Sequence, residues 1–264
     1  MQEFLPEVLR IAEEAAEVIL EVYQSDDPGV VVKEDFSPLT QADMASHRHI
    51  VAGLEAMAPD LPILSEESQG ITYDERRHWD TFWLVDPLDG TKEFLRRNGE
   101  FTINIALIRG HRPVLGVVHL PVSGKTYWAA EGEGAFRSIN GETVPLQAAQ
   151  TVGQPVKVVA SRSHSATPTV MFLDRMGQDH DLEILSKGSA LKLCMVAEGE
   201  AELYPRLAPT MEWDTAAAQC VVEQAGGYVT TLGNEPLQYN KEDLLNPFFM
   251  VASPGVAAVW PAYL

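Results

Sequence analysis

Three short acidic segments of this 264-residue sequence could bind metal ions and support catalysis. They occupy residues 65–68 (SEES), 86–91 (DPLDGT) and 212–214 (EWD). Each places carboxylates at the end of an apolar run or just before a helix-like run, not on an exposed helix face. Carboxylate oxygens are the ligands that hard cations such as Mg²⁺ prefer. Two such ions about 4 Å apart can stabilise both the attacking and the leaving oxygen of an in-line displacement.

The segment at residues 86–91 is the most informative, because it ends a strand-like run with two aspartates. Pro87 fixes the backbone between Asp86 and Asp89, so both carboxylates can face one point. The Leu88 carbonyl oxygen stays available as a further ligand. The Gly-Thr pair that follows opens a helical turn, whose free N–H groups can donate to a phosphate oxygen. Its threonine hydroxyl can also orient a water molecule.

Each segment, taken alone, also has a purely structural interpretation. Asp86 before proline is a common way to open a turn, and Asp89 before Gly-Thr can cap a helix. Adjacent Glu66 and Glu67 are most often a solvated charge pair. Asp214 before a run of alanines suits a helix N-cap. The presence of all three segments in one chain favours a metal centre over three unrelated motifs.

Together the segments resemble the motifs of the lithium-sensitive, magnesium-dependent phosphomonoesterase superfamily that includes the inositol monophosphatases. That superfamily has a G/S-E-E motif, a D-P-[IL]-D-G-T-x-x-F motif and a W-D-x-A-A motif. This sequence has LSEES at 64–68, DPLDGTKEF at 86–94 and EWDTAAA at 212–218, in matching order and spacing. The resemblance implies a phosphatase that binds two or three Mg²⁺ ions. It also implies attack of water on phosphorus without a covalent phosphoenzyme.

The resemblance assigns roles to individual residues. The implied metal ligands are Glu66, Asp86, the Leu88 carbonyl, Asp89 and Asp214. The implied catalytic residues are Glu66, Thr91 and Asp89, and the first two would position the attacking water. Gly90 and Thr91 would bind the substrate phosphate.

A third, weaker metal ion is implied near Asp43 and Glu67. Asp43 has an equally good structural role, because residues 40–43 (TQAD) match the capping box of a helix N-terminus. Both roles can hold at once.

Residues outside the acidic segments bear on the substrate. The candidate substrate-binding residues are Ser161, Arg162, His164, Lys187, Ser189, Lys192 and Arg206. The stretches SRSH, GSALK and YPR, which contain all of these residues except Lys187, resemble the bacterial 3'(2'),5'-bisphosphate nucleotidases of the same superfamily, and Lys187 directly precedes GSALK. The implied substrate is adenosine 3',5'-bisphosphate, a by-product of sulfate assimilation and sulfotransfer. The 3'-phosphate would be hydrolysed, and the basic residues of this set are the candidates to bind the 5'-phosphate.

Several alternatives stay open at this point. From spacing alone, Lys187 and Lys192 are as easily solvated helix charges as substrate ligands. The substrate could instead be an inositol monophosphate, an inositol polyphosphate cleaved at position 1, or a sugar bisphosphate. A non-catalytic cation-binding scaffold is the alternative from another class, but a scaffold has no need of Thr91.

Composition limits the partners. The formal net charge of −19 argues against nucleic acid and against an anionic membrane surface. No run approaches 18 apolar residues, and the N-terminus lacks a signal-peptide pattern. The two cysteines, Cys194 and Cys220, lie in helix-like apolar runs and predict buried thiols in a reducing compartment. We therefore expect a cytoplasmic enzyme, with peripheral membrane association left open.

The apolar pattern predicts the elements that must position these residues. Helices are expected over 3–23 and from Thr40 to about residue 57, and an antiparallel meander over about 80–137. Residues 139–155 are expected to be an irregular joint, followed by five short strands and three helices. As the resemblance implies, the fold class is α/β, a sugar-phosphatase-like αβαβα sandwich with two mixed or antiparallel sheets. Residues 1–264 would form one catalytic unit with halves of about 1–140 and 155–264, and the site would lie between them.

Overall fold

A computed structural model describes residues 3–25, 29–32, 38–161 and 167–264. Within these ranges the helices are α1 Leu5–Gln24, α2 Gln41–Met57, α3 Tyr73–Arg76, α4 Thr91–Leu95, α5 Thr167–Met176, α6 Leu191–Ala197, α7 Glu212–Gln224 and α8 Pro254–Ala257, with a 3₁₀ helix at Trp260–Tyr263. The strands are β1 Val31–Val32, β2 Pro38–Leu39, β3 Ile63–Ser65, β4 Thr81–Asp89, β5 Thr102–Arg109, β6 Arg112–Leu120, β7 Lys125–Ala130, β8 Gly134–Ile139, β9 Glu142–Pro145, β10 Val156–Ser161, β11 Leu182–Lys187, β12 Leu203–Arg206, β13 Tyr228–Thr231 and β14 Phe249–Ala252.

The first half is built on a seven-stranded sheet, in the order β3 to β9. Strand β3 runs parallel to β4, and the strands from β4 to β9 form the predicted antiparallel meander. Because side chains alternate along a strand, each strand contributes to two cores. Trp83 and Val85 of β4 face α1 and α2, whereas Phe82 and Leu84 face α6, α7 and the second sheet.

The seven-stranded sheet contains a β-bulge where the DPLDGT segment begins. Asp86 pairs with Asn104 and Asp89 pairs with Thr102, so three steps along β4 match two steps along β5. Residues three apart on a regular strand face opposite sides, and the extra residue returns both aspartates to one side. Ser46 of α2 donates to the carbonyl oxygen of Pro87 at 2.8 Å and anchors the bulge.

The second half is built on a five-stranded mixed sheet, in the order β11-β10-β12-β14-β13. Strand β10 runs parallel to β11 and β12, and β14 runs antiparallel to its two neighbours. One face packs on α6 and α7, and the other on α5, α8 and the 3₁₀ helix. The layers therefore alternate helix, sheet, helix, sheet, helix, which confirms the predicted α/β sandwich with two mixed sheets.

Helix α7 belongs to the second half of the chain but packs on the sheet of the first half. It crosses β6 at Gly116, where an added Cβ would lie 2.2 Å from the carbonyl oxygen of Ala217. A side chain at this position would push the helix away from the sheet. This close approach carries the residues at the start of α7 toward the end of β4.

The prediction for residues 139–155 is partly wrong, because β8 continues to Ile139 and residues 142–145 form β9. Asn140 (φ +51°) and Gly141 (φ +80°) both adopt the left-handed conformation of a two-residue hairpin turn. The Asn-Gly pair in the sequence is the usual signal for such a turn.

Other sequence predictions are confirmed. Helix α2 begins after Thr40, which forms the predicted capping box with Asp43. Cys194 and Cys220 are buried free thiols. Among the described residues, every helix is too short or too polar to cross a bilayer.

Candidate active site

The two halves of the chain line one cavity of about 350 Å³. The structure brings together in its wall most residues that the sequence singled out: Glu66, Asp86, Leu88, Asp89, Gly90, Thr91, Ser189, Lys192, Arg206 and Asp214. The ends of β3 and β4 supply the first two acidic segments, and the start of α7 supplies the third.

Three aspartates form the centre of this cavity. Asp86, Asp89 and Asp214 each offer a carboxylate oxygen, and these oxygens lie within 4.8 Å of one another. The bulge in β4 places Asp86 and Asp89, and the first turn of α7 places Asp214. Backbone N–H groups orient two of them, since Leu88 donates to Asp86 Oδ1 at 3.0 Å and Met211 donates to Asp214 Oδ2 at 2.9 Å.

The electrostatics of this cluster favour a bound cation. Burial raises the pKa of Asp86 well above its ordinary value, and the charges of Glu66, Asp89 and Asp214 raise it further. Burial and then the charge of Asp89 raise the pKa of Asp214 to about 8. Carboxylates this close cannot all ionise at neutral pH unless a positive charge lies between them. A set of hard oxygen donors with this excess of negative charge fits a divalent cation such as Mg²⁺.

Asp89 is held by contacts from both halves. Its Oδ2 accepts a hydrogen bond from the backbone N–H of Ala190 at 2.6 Å, across 101 residues of sequence. Thr102 Oγ1 lies 3.4 Å from the same oxygen, and Asn104 Nδ2 lies at 3.5 Å. All three contacts are to Oδ2, so within the described residues Oδ1 is left to face a cation.

Thr91 begins the short helix α4, just after Gly90. Its hydroxyl donates to Asp43 Oδ1 at 3.2 Å, while Asp43 Oδ2 accepts from Thr40 N at 2.7 Å. Asp43 is 3% exposed, so it lies behind Thr91 and fixes the direction of the hydroxyl. The capping role of Asp43 is thus visible; its role in binding a third metal ion stays a prediction.

The two glutamates after β3 lie in different surroundings. Glu66 lines the cavity, and its charge contributes to the raised pKa of Asp86 and Asp214. Glu67 is half-buried, and its charge acts on His47, whose pKa is nevertheless lowered because burial is the larger effect. The third-metal role predicted for Glu67 stays a prediction.

The basic residues divide into three groups. Lys192 and Arg206 line the cavity, whereas Lys187 forms an ion pair with Glu100 at 3.3 Å and is 40% exposed. Arg162 and His164 lie outside the described residues. For Ser161 the structure gives the backbone only, at the end of β10, where it pairs with Lys187.

The two cavity cations have different surroundings. Lys192 is 5% exposed, and its ammonium donates to the carbonyl oxygen of Ser189 at 2.5 Å. Burial lowers the pKa of Lys192 to about 8, although the charge of Asp89 opposes this shift. Arg206 donates to Pro209 O at 2.6 Å, but its buried Nε has no hydrogen-bond partner among the described residues.

Sequence reasoning missed several residues of the site. The apolar pattern places Thr102 and Asn104 in a strand but does not mark them as site residues, yet both are buried beside Asp89. The sequence contains a signal for them, because two polar residues spaced i, i+2 in an otherwise apolar strand lie on the same face of the sheet. Tyr204 also lines the cavity, and the ammonium of Lys192 lies 5.5 Å from the centre of its ring.

Comparisons with known proteins agree with this arrangement. The model of the inositol monophosphatase family matches residues 1–258. The 3'(2'),5'-bisphosphate nucleotidase CysQ of Escherichia coli (strain K12) is 46% identical over 250 residues, covering 94% of this chain and 99% of that protein. The protein of the same name from Haemophilus influenzae is 35% identical over 253 residues, covering 95% and 93%.

Solved structures support the fold. The crystal structure of CysQ from Bacteroides thetaiotaomicron, a bacterial member of the inositol monophosphatase family, superposes with a TM-score of 0.86. It is 43% identical, and the match covers 96% of this chain and 98% of that one. A Thermotoga maritima IMPase has a TM-score of 0.80 at 24% identity, covering 100% and 96%, and shows the shared fold alone.

Proposed function

The chain belongs to the inositol monophosphatase family, and from this premise we propose that it hydrolyses adenosine 3',5'-bisphosphate to AMP and phosphate. It is a metal-dependent phosphatase, and Mg²⁺ is the metal ion of this proposal. The observation that carries the proposal is one cavity that combines a three-aspartate cluster with two cations, the buried Lys192 and the partly exposed Arg206. The 46% identity to curated 3'(2'),5'-bisphosphate nucleotidases supports the choice of substrate.

The metal-binding residues of the proposal are Glu66, Asp86, the Leu88 carbonyl, Asp89 and Asp214. A bound divalent cation would neutralise charge on the transferring phosphoryl group and lower the pKa of water in the site. The chain itself contributes the fixed geometry. The bulge in β4 and the first turn of α7 hold the aspartates before substrate arrives, so little reorganisation is needed during the reaction.

The Gly90–Thr91 turn would bind the phosphate and direct the nucleophile. Gly90 has φ +95°, and an added Cβ would approach Ser189 Cβ at 3.3 Å, so both conformation and space favour glycine here. Because Asp43 accepts the proton of the Thr91 hydroxyl, the lone pairs of that oxygen are free to accept from a water molecule. Water would attack phosphorus in line, the bond to the 3'-oxygen would break, and AMP would leave with a free 3'-hydroxyl, whose proton balances the one that the attacking water gives up.

The 5'-phosphate does not react and would be recognised by cations. Arg206 is the strongest candidate, because it lines the cavity and its guanidinium donates to a neutral group, the Pro209 carbonyl oxygen, at 2.6 Å. The ammonium group of Lys192 donates to the carbonyl oxygen of Ser189. Lys192 would therefore have a structural role in addition to any role in phosphate binding. We propose that the two halves of the chain act as one catalytic unit, since both line the cavity.

A side-by-side kinetic comparison tests the substrate. With Mg²⁺ present, we expect kcat/KM for adenosine 3',5'-bisphosphate to exceed that for inositol 1-phosphate by at least about tenfold, or about 1.4 kcal/mol. 3'-AMP, inositol 1,4-bisphosphate and fructose 1,6-bisphosphate complete the panel. If inositol 1-phosphate were the best substrate, the nucleotide proposal would be wrong while the phosphatase assignment stood.

An Arg206→Gln variant tests the second phosphate. A charge-assisted hydrogen bond contributes about 1.5–3 kcal/mol, so kcat/KM for the bisphosphate should fall about tenfold or more. The same variant should change kcat/KM for 3'-AMP much less. Arg112→Gln, at an arginine that is 63% exposed on β6, is the control and should leave both substrates unaffected. Equal losses on the two substrates would remove Arg206 from phosphate recognition.

A further inference from the structure

Three consecutive residues of the second half, Gly188, Ser189 and Ala190, contact the first half directly. The Gly188 N–H donates to Glu100 Oε2 at 3.0 Å. Ser189 Oγ lies 2.8 Å from Thr102 Oγ1, and the Ala190 N–H donates to Asp89 Oδ2 at 2.6 Å. This segment therefore joins the substrate side of the cavity to the aspartate cluster. Thr102 of the first half contacts both Ser189 of the segment and Asp89 of the cluster.

Ser189 adopts a conformation that its neighbours must stabilise. Its φ is +53°, in the left-handed region, which costs a non-glycine residue about 1–2 kcal/mol. Two side chains hold it there: Thr102 contacts its hydroxyl and Lys192 donates to its carbonyl oxygen. The conformation places the next N–H, that of Ala190, against Asp89.

The distances around Thr102 favour one direction for its hydrogen bonds. Asp89 accepts only, so the nearby Asn104 side chain must present its amide nitrogen to Asp89 and its oxygen to Thr102. Thr102 has a single hydroxyl proton, and the Asn104 oxygen, at 3.0 Å, is a nearer acceptor than Asp89 Oδ2, at 3.4 Å. The Ser189 hydroxyl must then donate to Thr102. The result is a chain of donors that runs from Ser189 through Thr102 and Asn104 to Asp89.

Thr102 is well placed to fix both ends of this chain. It is fully buried on β5 and pairs with Asp89 across the bulge of β4. The chain turns Asp89 Oδ2 toward the second half of the protein and leaves Oδ1 for a cation. At the other end it orients the oxygen of Ser189, a wall residue of the cavity.

We propose that Thr102 is a positioning residue that sets the orientations of Asp89 and Ser189 together. Through Asp89 it controls divalent-cation affinity, and through Ser189 it shapes the substrate side of the cavity. The inference rests on the proposed function, because it takes Asp89 to be a metal ligand. Thr102 acts only through these neighbours and touches neither the metal nor the substrate.

The test compares two substitutions of Thr102 with a matched control. Thr102→Val keeps the shape but removes the hydroxyl, and Thr102→Ser keeps the hydroxyl. Thr126→Val is the control, because Thr126 is also buried in the seven-stranded sheet and also bonds through its hydroxyl, to His119 at 2.8 Å. Mn²⁺ binding is measured by isothermal titration calorimetry without substrate, and kcat and KM are measured with saturating Mg²⁺.

We expect Thr102→Val to weaken Mn²⁺ binding by about 10–100-fold, the usual cost of removing a residue that orients a metal ligand. Its kcat should fall by a larger factor than its KM rises. Thr102→Ser should stay within about threefold of the wild type, since the donor chain is intact, and Thr126→Val should leave Mn²⁺ binding unchanged. Circular dichroism checks folding, and Thr102→Ala replaces Thr102→Val if the buried methyl group prevents folding.

Two results would overturn the inference. One is a folded Thr102→Val or Thr102→Ala protein that binds Mn²⁺ like the wild type. The other is an equal loss in Thr126→Val, which would reduce the effect to general packing of the sheet. A wild-type protein that binds no Mn²⁺ would instead overturn the proposed function, and this inference with it.

Discussion

The two sides of the aspartate cluster are supported in different ways. Asp86 and Asp89 stand on a strand inside a seven-stranded sheet, where strand pairing and one bulge fix their direction. Asp214 stands at the first turn of α7, where a loop of the second half holds the helix start. The first support is a regular backbone ladder, and the second is a network of side chains.

Buried Glu212, two residues before Asp214, is the centre of the second support. Its carboxylate is fully buried and accepts from Asn240 N at 2.6 Å, Lys241 N at 3.0 Å and Lys241 Nζ at 2.5 Å. Three donors on one buried carboxylate tie the 240–241 loop to the start of α7. The same loop therefore holds the turn that presents Asp214.

Arg76, a residue of the first half, reaches into this loop. Its guanidinium donates to Asn240 Oδ1 at 3.0 Å and to Glu242 O at 2.8 Å, and it is 3% exposed. Asn240 returns a hydrogen bond to Arg76 O at 2.7 Å. The strand side, with Asp86 and Asp89, is therefore stabilised by strand pairing. The helix side, with Asp214, depends on one buried ion pair and on hydrogen bonds from Arg76, which is distant in sequence.

The largest expected effect follows from removing a charge on the strand side. Asp86→Asn should lower kcat/KM at least about 10³-fold, because a cation contributes several kcal/mol to the transition state and this variant weakens its binding. The metal-free variant should also melt at a higher temperature than the metal-free wild type. Burial and three neighbouring charges disfavour the ionised Asp86, and the amide removes that repulsion.

Melting curves with EDTA and with Mg²⁺, together with kinetics, check both parts of this prediction. Asp80→Asn is the control, since Asp80 is an exposed carboxylate just before the same strand, and both quantities should stay unchanged. An active Asp86→Asn enzyme with unaltered stabilisation by Mg²⁺ would contradict the metal-ligand assignment of the strand side.

A smaller effect is expected on the helix side. Lys241→Met removes the ammonium group from the buried Glu212 carboxylate and should cost about 1.5–3 kcal/mol in the free energy of unfolding. The matched control is Arg109→Met, which breaks an ion pair with Glu131 at 2.6 Å whose partners are each about half exposed. That exposed pair should contribute only about 0.2–1 kcal/mol.

Urea unfolding of the two variants measures this difference. Equal losses of stability would mean that burial of Glu212 does not matter, and the helix side would then resemble an ordinary surface contact. A fall in Mg²⁺ affinity in Lys241→Met alone would show that the loop also orients Asp214.

The two supports also differ in how far the sequence predicts them. Alternating apolar residues predicted the meander, and the DPLDGT motif located Asp86 and Asp89, because these signals lie within one strand. The contacts of Asp89 with Ala190, and of Arg76 with Asn240, join residues more than 100 positions apart. No periodicity encodes such pairs, since they arise only when α6 and the 240–241 loop pack on the first half.

The basic residues show the same limit. The resemblance to the bisphosphate nucleotidases makes Lys187, Lys192 and Arg206 candidates for one role, substrate binding. The structure separates them, because Lys187 pairs with Glu100 at the protein surface while the other two line the cavity. Their environments depend on burial in the folded chain, which the charge pattern does not specify.

The smallest expected effect is a fall in the free energy of unfolding at acid pH, caused by His119 on β6 of the seven-stranded sheet. This side chain is 4% exposed, and burial lowers its pKa to about 4. In the unfolded chain the pKa returns to about 6.5, so the unfolded state binds the proton first as the pH falls. The contribution to stability is therefore complete above about pH 6.5, and the loss is about 1 kcal/mol at pH 6 and about 3 kcal/mol near pH 4.

His119→Gln keeps a polar group near Thr126 but cannot titrate. Urea unfolding at about pH 8 and pH 6 should show a wild-type loss that exceeds the variant's loss by about 1 kcal/mol. Identical losses would mean that His119 is protonated in the folded sheet at pH 6. This histidine would then not make the stability of the seven-stranded sheet depend on pH.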